Sequence, residues 1–276
     1  MPDTWRSSTT HSKTAFSVVG LLRAMLRAIP LAILVFGCLI ILLVVRLFER
    51  PLYGAGRPWT PYITQFVCRN AFRIIGIPFE TRGTAMNGPG AVVANHSSWL
   101  DIFALNASKR IYFVSKAEVA SWPGIGWLAR ATGTVFIRRD RRDAKAQVSV
   151  FKDRLSLGHK LLFFPEGTST DGLQVLPFKP TLFAAFFDET LKETLSIQAV
   201  TVQYHAPEGA DPRFYGWWGD MALAPHLFST LAAKQQGRVI VVYQPPVQVA
   251  DFADRKELAA TLESQVRSGL TDHRVA

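Results

Sequence analysis

A-V-V-A-N-H-S-S-W-L-D, Ala91 to Asp101, is the stretch on which the reading of this chain turns. Its first four residues are apolar and contain two valines, the composition of a buried strand, and a helical pattern follows from Ser98 to Ala107. Working outward, short β-branched runs recur at Arg110 to Val114, Thr134 to Ile137, Lys160 to Phe164, Ile197 to Gln203 and Val239 to Tyr243. Between and after them, helical patterns cover Ala144 to Leu157, Thr181 to Thr190 and Lys256 to Ser268. Strands that alternate with helices predict an α/β fold, a mostly parallel sheet flanked by helices.

The same stretch carries chemistry. A carboxylate next to an imidazole fixes its tautomer and stabilises the imidazolium formed when a hydroxyl is deprotonated. His96 and Asp101 are five positions apart, which on one continuous helix would turn them roughly 140° from each other. They meet only if His96 sits at the strand end, before the helix, with Ser97 or Ser98 as its N-cap and Asp101 in its first turns. A His followed by an Asp at this distance also arises by chance, so the pair needs its context.

F-P-E-G-T-S-T, Phe164 to Thr170, ends the run that starts at Lys160. It puts a carboxylate and a flexible backbone at the carboxyl end of a strand, where open parallel sheets bind ligands and where His96 is also expected. A plain turn before a helix cap is the alternative reading. Lys116, and then G-T-V-F-I-R-R-D from Gly133, supply cations. Arg138 and Arg139 end a strand, only one of them can face the site because side chains alternate, and Arg138 is the one expected there to hold an anionic headgroup. Arg141 and Arg142 suit a solvated face. The chain has no G-x-S-x-G elbow, no H-E-x-x-H, no phosphate-binding P-loop and no cysteine pair at zinc spacing, so no metal site is expected.

From Ala28 to Val45 there is no charge, about the 17 to 25 apolar residues that span hydrocarbon. Arg46, Glu49 and Arg50 follow directly, unlike the region behind a cleaved signal peptide. The stretch reads as a membrane segment, with a buried core helix as the alternative, and the arginines on its two sides leave its orientation open. The Pro51 to Pro61 stretch is expected to break this helix. A second one, Thr60 to Ile75, interleaves Ile63, Phe66, Val67, Phe72 and Ile74 with Arg69 and Arg73, suiting the headgroup layer. The expected organisation is a flexible tail over 1–13, membrane-anchoring helices over 14–77 and a catalytic domain over 78–276. The net charge of +10 favours anionic partners. No nucleic-acid recognition motif accompanies it, so membrane lipid is the expected partner. Cys38 and Cys68 show no paired spacing, which fits a reducing compartment. The aromatic run Phe214, Tyr215, Trp217, Trp218 either rests on lipid or covers the core.

In this order and separation, the segments from Phe79 to Tyr243 resemble the glycerolipid acyltransferase superfamily typified by 1-acyl-glycerol-3-phosphate acyltransferases. The resemblance implies an α/β layer beside a membrane-binding helical element, at the cytoplasmic face of the inner membrane. It implies His96 as general base and Asp101 as its orienting partner, the H-x4-D pair. Arg138, Lys116, Glu166, Gly167 and Thr168 would bind the acceptor. The reaction implied is direct attack of a lysolipid hydroxyl on an acyl thioester, with acyl-carrier protein or coenzyme A as the carrier and no other cofactor. Backbone N–H groups near Gly167 are candidates for the oxyanion donors. Two departures bear on the acceptor. Many phosphate-acceptor members place a basic residue directly after Glu-Gly-Thr, whereas Ser169, Thr170 and Asp171 follow here; and F-K-P-T-L-F, Phe178 to Phe183, replaces a glycine-containing version. Both features are similar to the bacterial branch with lyso-ornithine lipid acyltransferases. Lysophosphatidate, giving phosphatidate, is the first expectation, lyso-ornithine lipid the second, and a non-catalytic lipid-binding protein the alternative of another class.

Overall fold

The computed structural model describes Trp5 and residues 17–137 and 144–271. The first helix, α1 (Val18–Tyr53), has 36 residues, about 54 Å at 1.5 Å per residue. The Ser17 hydroxyl starts it by accepting the Gly20 N–H at 3.1 Å. The helix ends within the Pro51 to Pro61 stretch, as expected, although Pro51 itself is accommodated because a proline in the last turn removes a single N–H bond. Gly54 ends it instead, at φ 56, with its N–H on the Arg50 carbonyl. α2 (Thr60–Ile75) returns against α1. Its N-terminus is held by Glu49, fully buried, whose carboxylate accepts from the Trp59 and Thr60 N–H groups at 2.8 and 3.0 Å and from the Thr60 hydroxyl at 2.8 Å. An anion here meets the positive end of the helix dipole.

Among the described residues, the layer that follows is an eight-stranded sheet. Its strands are β1 (Phe79–Arg82), β2 (Gly90–Ala94), β3 (Tyr112–Lys116), β4 (Val135–Ile137), β5 (Lys160–Phe163), β6 (Ser196–His205), β7 (Arg238–Tyr243) and β8 (Val247–Gln248). The order is β1-β7-β6-β2-β5-β3-β4, with β8 beside β6; only the pairs of β6 with β7 and with β8 are antiparallel. β2 lies between β5 and β6 and is buried along its whole length, which is why it reads as an unbroken apolar run.

Alternation along β2 divides the core. Val92 and Ala94 face α1, α2, α3 (Leu100–Ser108) and α7 (Leu223–Ala232), with Ala24, Leu31, Phe72, Leu100 and Leu231 packed against them. Ala91 and Val93 face the other way, toward α5 (Ala144–Ser156), a 3-10 segment Pro180–Phe187 and α8 (Arg255–Thr271), among Phe151, Phe183, Phe186 and Leu258. Burying a side chain of this size contributes about 1.5–3 kcal/mol. The helix expected over Thr181 to Thr190 is instead that 3-10 segment followed by one turn, α6 (Glu189–Lys192). The Asp188 side chain caps that turn through the Thr190 N–H, interrupting the helix. α4 (Ile125–Thr132), β1, α7 and β8 were not expected from the sequence.

The outer face of α1 stays apolar and open: Ile33, Phe36, Ile40 and Leu47 are more than half exposed. α1 is long and apolar enough to cross a membrane. Its inner face is tied to the domain. Arg23 donates to the Ala232 carbonyl, and Arg27 to those of Leu231 and Ala233, each at 2.8 Å, at the C-terminal end of α7. Trp59, Trp122 and Trp127 are the large exposed indoles, Trp127 at 69 %.

Candidate active site

The site forms where β2 ends. Asn95 extends the strand with its side chain: the carboxamide accepts the Val202 N–H at 2.8 Å and donates to the Val202 carbonyl at 2.9 Å, continuing the ladder to β6. His96 then leaves the sheet before the helix begins, as the spacing requires. α3 starts at Leu100 with Trp99 at its N-cap, one residue later than Ser98, and the Ser98 hydroxyl accepts the Leu100 N–H at 3.3 Å. The shift has a cause, since Asp101 reaches back from the first turn and takes the Ser97 and Ser98 N–H groups itself at 2.8 and 3.0 Å.

The same Asp101 oxygen, Oδ2, lies 2.7 Å from His96 Nδ1. The other oxygen accepts the Tyr204 hydroxyl at 2.8 Å. Asp101 is fully buried while the His96 side chain keeps 22 % exposure. A buried carboxylate surrounded by four donors is held as an acceptor, so Nδ1 carries the proton and Nε2 is left with a lone pair. The imidazole also stacks on Phe164, centroids 4.1 Å apart and planes 13° apart, so its plane is fixed from a second direction. Tyr204 was not anticipated: it lies 103 residues from Asp101 in sequence, on β6, and nothing local to it signals the contact.

The other expected site residues separate into groups. Lys116 and Gly167 join His96 in lining a cleft of about 150 Å³, whose remaining wall is Val114, Ser115, Ile137, Phe151, Phe163, Phe164 and Leu182. Apolar walls with a few polar groups are the usual form of a lipid or small-molecule site. Thr168 follows Gly167 and is half-buried. Arg138 lies outside the described residues.

Glu166 turns its carboxylate to the backbone around the site. It is 1 % exposed, and its two oxygens accept the His96 and Leu176 N–H groups, each at 2.7 Å. Burial pushes this carboxyl up to about 8, against the downward pull of those two N–H groups. It therefore acts on the site through the His96 backbone. Gly167 is at φ 78 and its own N–H is on the Phe164 carbonyl at 3.1 Å, so it is not a free oxyanion donor.

Two further loops clamp the motif. The Thr170 N–H donates to the His96 carbonyl at 2.9 Å and the Trp217 N–H to the Ser97 carbonyl at 2.7 Å. The aromatic run thus covers the core side of the site: Tyr215 and Trp218 are buried, and the Trp217 indole donates to the Met221 carbonyl. A base with its lone pair in a cleft, beside apolar walls and a lysine, suits deprotonation of a hydroxyl on a molecule that is largely hydrocarbon.

Residues 77–204 match the Acyltransferase family. Over 248 residues, 90 % of each chain, the sequence is 60 % identical to a lyso-ornithine lipid O-acyltransferase of Rhodobacter capsulatus. It is 36 % identical over 222 residues, 76 % of this chain and 82 % of the other, to the lyso-ornithine lipid O-acyltransferase of Brucella abortus. Identity to a 1-acyl-sn-glycerol-3-phosphate acyltransferase of Neisseria gonorrhoeae is 32 % over 210 residues, 74 % of this chain and 79 % of the other. The crystal structure of the 1-acyl-sn-glycerophosphate acyltransferase from Thermotoga maritima shares the fold, with a TM-score of 0.65 at 20 % identity over 93 % of this chain and 97 % of that one.

Proposed function

Since the chain belongs to the glycerolipid acyltransferase superfamily and so acylates lysolipids, we propose that its acceptor is lyso-ornithine lipid. The observation that carries this is the 60 % identity to one such enzyme along 90 % of both chains, against 32 % over 74 % of this chain for an enzyme of lysophosphatidate. We therefore place lyso-ornithine lipid ahead of lysophosphatidate, the first expectation. The local residues support this order, because Ser169, Thr170 and Asp171 put no cation after Thr168.

The geometry supports the following steps. His96 Nε2 takes the proton of the acceptor hydroxyl as its oxygen attacks the thioester carbonyl. Asp101, held by Ser97, Ser98 and Tyr204, keeps Nδ1–H in place and stabilises the imidazolium. The tetrahedral intermediate collapses, the C–S bond breaks, and the departing thiolate takes the proton from the imidazolium, leaving an ester and a free thiol. The donor is an acyl-carrier-protein or coenzyme A thioester. A thiolate leaves readily, so base, positioning and oxyanion donors suffice for the chemistry. We place the catalytic domain at the cytoplasmic face of the inner membrane, where such thioesters are made, with α1 in the lipid.

The test is acyl transfer by detergent-purified protein from labelled thioester to lyso-ornithine lipid and lysophosphatidate in parallel. Label in ornithine lipid, lost by about 10² to 10⁴ in a folded His96→Ala variant, is expected. His96-dependent label in phosphatidate alone would reject the acceptor proposed, and full activity without His96 would remove the mechanism.

A further inference from the structure

The bare face of Gly167 is occupied by a lysine. A Cβ built on Gly167 would stand 3.1 Å from Lys179 Nζ and 3.3 Å from both Cδ and Cε, so the lysine side chain lies across the glycine and a larger residue there would press on it. The lysine backbone is fastened to the same turn: its N–H donates to the Pro165 carbonyl at 3.0 Å, and its carbonyl accepts the Leu182 N–H at 3.0 Å. Gly167 and Leu182 both line the cleft that contains His96. Lys179 therefore stands behind one wall of the cleft, half-buried.

Its ammonium has no ion-pair or hydrogen-bond partner among the described residues. Glu263, whose carboxylate is the acidic group near this loop, is taken by the Phe178 N–H and by Arg267. A half-buried ammonium whose three donors meet no protein acceptor is poised for an external anion. The residues after Thr168, where a cation would otherwise stand, are Ser169, Thr170 and Asp171.

We propose that Lys179 binds the anionic headgroup of the acceptor, a carboxylate or a phosphate, reaching the cleft over the bare backbone of Gly167. The identification of the anion as the ornithine carboxylate rests on the acceptor reading above; the cation contact itself does not. Gly167 thus has a second use besides its positive φ: the absence of a side chain opens the path between the lysine and the cleft. The lysine acts on binding and orientation of the acceptor, while His96 acts on its hydroxyl.

The experiment compares wild-type protein with Lys179→Met and Lys179→Arg in detergent micelles, using lyso-ornithine lipid, its carboxyl methyl ester, which keeps the ammonium but has no anion, and lysophosphatidate as acceptors. Loss of a charge-assisted contact is expected to raise KM for the acceptors that carry an anion about tenfold or more in Lys179→Met. Lys179→Arg recovers most of it. The methyl ester makes the test independent of folding: the loss in Lys179→Met should be seen with the carboxylate-bearing lipid and be absent with the ester. Equal loss on the acceptors that carry an anion and on the methyl ester would show a structural lysine, and a rise confined to the thioester KM would put the ammonium on the donor; either overturns the proposal. If wild type ignores lyso-ornithine lipid but acylates lysophosphatidate, the acceptor reading fails while the lysophosphatidate arm still decides on Lys179.

Discussion

Asp101 concentrates four hydrogen bonds on two oxygens, from His96, Ser97, Ser98 and Tyr204. Asp101→Asn puts an amide N–H₂ where donors already converge, so one contact must become repulsive and the imidazole loses its tautomer. Turnover is expected to fall roughly 10³- to 10⁴-fold. Tyr204→Phe removes one donor of the four and leaves the His96 contact intact, so a loss nearer tenfold in kcat is expected. Steady-state kinetics on both variants measure the difference. Glu166→Gln separates positioning from substrate contact: the amide puts an NH2 donor where one of the two carboxylate oxygens accepts a backbone N–H, and an unpaired buried donor costs about 1–3 kcal/mol. A lower thermal midpoint and a fall in kcat larger than the change in acceptor KM are expected. The His96 and Asp101 pair was legible in the sequence because a strand, a short exit and a helix start leave one way for the two to meet. Tyr204 and Lys179 were not, because each reaches the site through pairing or packing between segments distant along the chain.

At the level of elements, the sheet strands were readable as β-branched runs and α2 as an amphipathic repeat. β1, with Glu80 and Arg82, lacks that signal because it is an edge strand whose ladder partner is β7 alone. α4 is short, between Gly124 and Gly133, and its C-terminal carbonyls are taken by arginines from other elements: Arg57 donates to Ala131 and Arg154 to Gly133. Beside them, at the entry to β5, His159 packs against Tyr112, the ring centroids 4.1 Å apart and the planes tilted by 36°. Burial, with Arg154 and Arg57 close by, pushes its imidazole down to about 4. A folded value below the ordinary 6.5 means that the unfolded chain takes up a proton first. The contribution of His159 is therefore present above about 6.5 and is lost as pH falls toward 4. His159→Phe, which keeps the ring contact and removes the titration, should flatten the decline of the thermal midpoint over that interval; an unchanged slope would show that other groups set it.

For the molecule as a whole, α1 is part of the core as well as a membrane segment. Ala24 and Leu31 belong to the same apolar cluster as Val92 and Leu231. Deleting residues 1–53 uncovers α2 and α7 together, so the expected product is an aggregate in size-exclusion chromatography; a soluble, monodisperse and active truncation would show that α1 is a simple tether. The sequence displayed the apolar stretch but not its inner stripe, because small residues such as Gly20 and Ala24 carry little hydrophobic signal and the arginines among them look like flanking charge. Arg23 and Arg27 grip the end of α7, and this joint has a consequence for supply. A catalytic layer bolted to its own lipid-facing helix keeps its opening at one height and searches in two dimensions. Its working concentration is then the crowding of lysolipid per unit area of bilayer, and diluting the surface with inert lipid starves the enzyme even when the amount of acceptor in the vessel is unchanged.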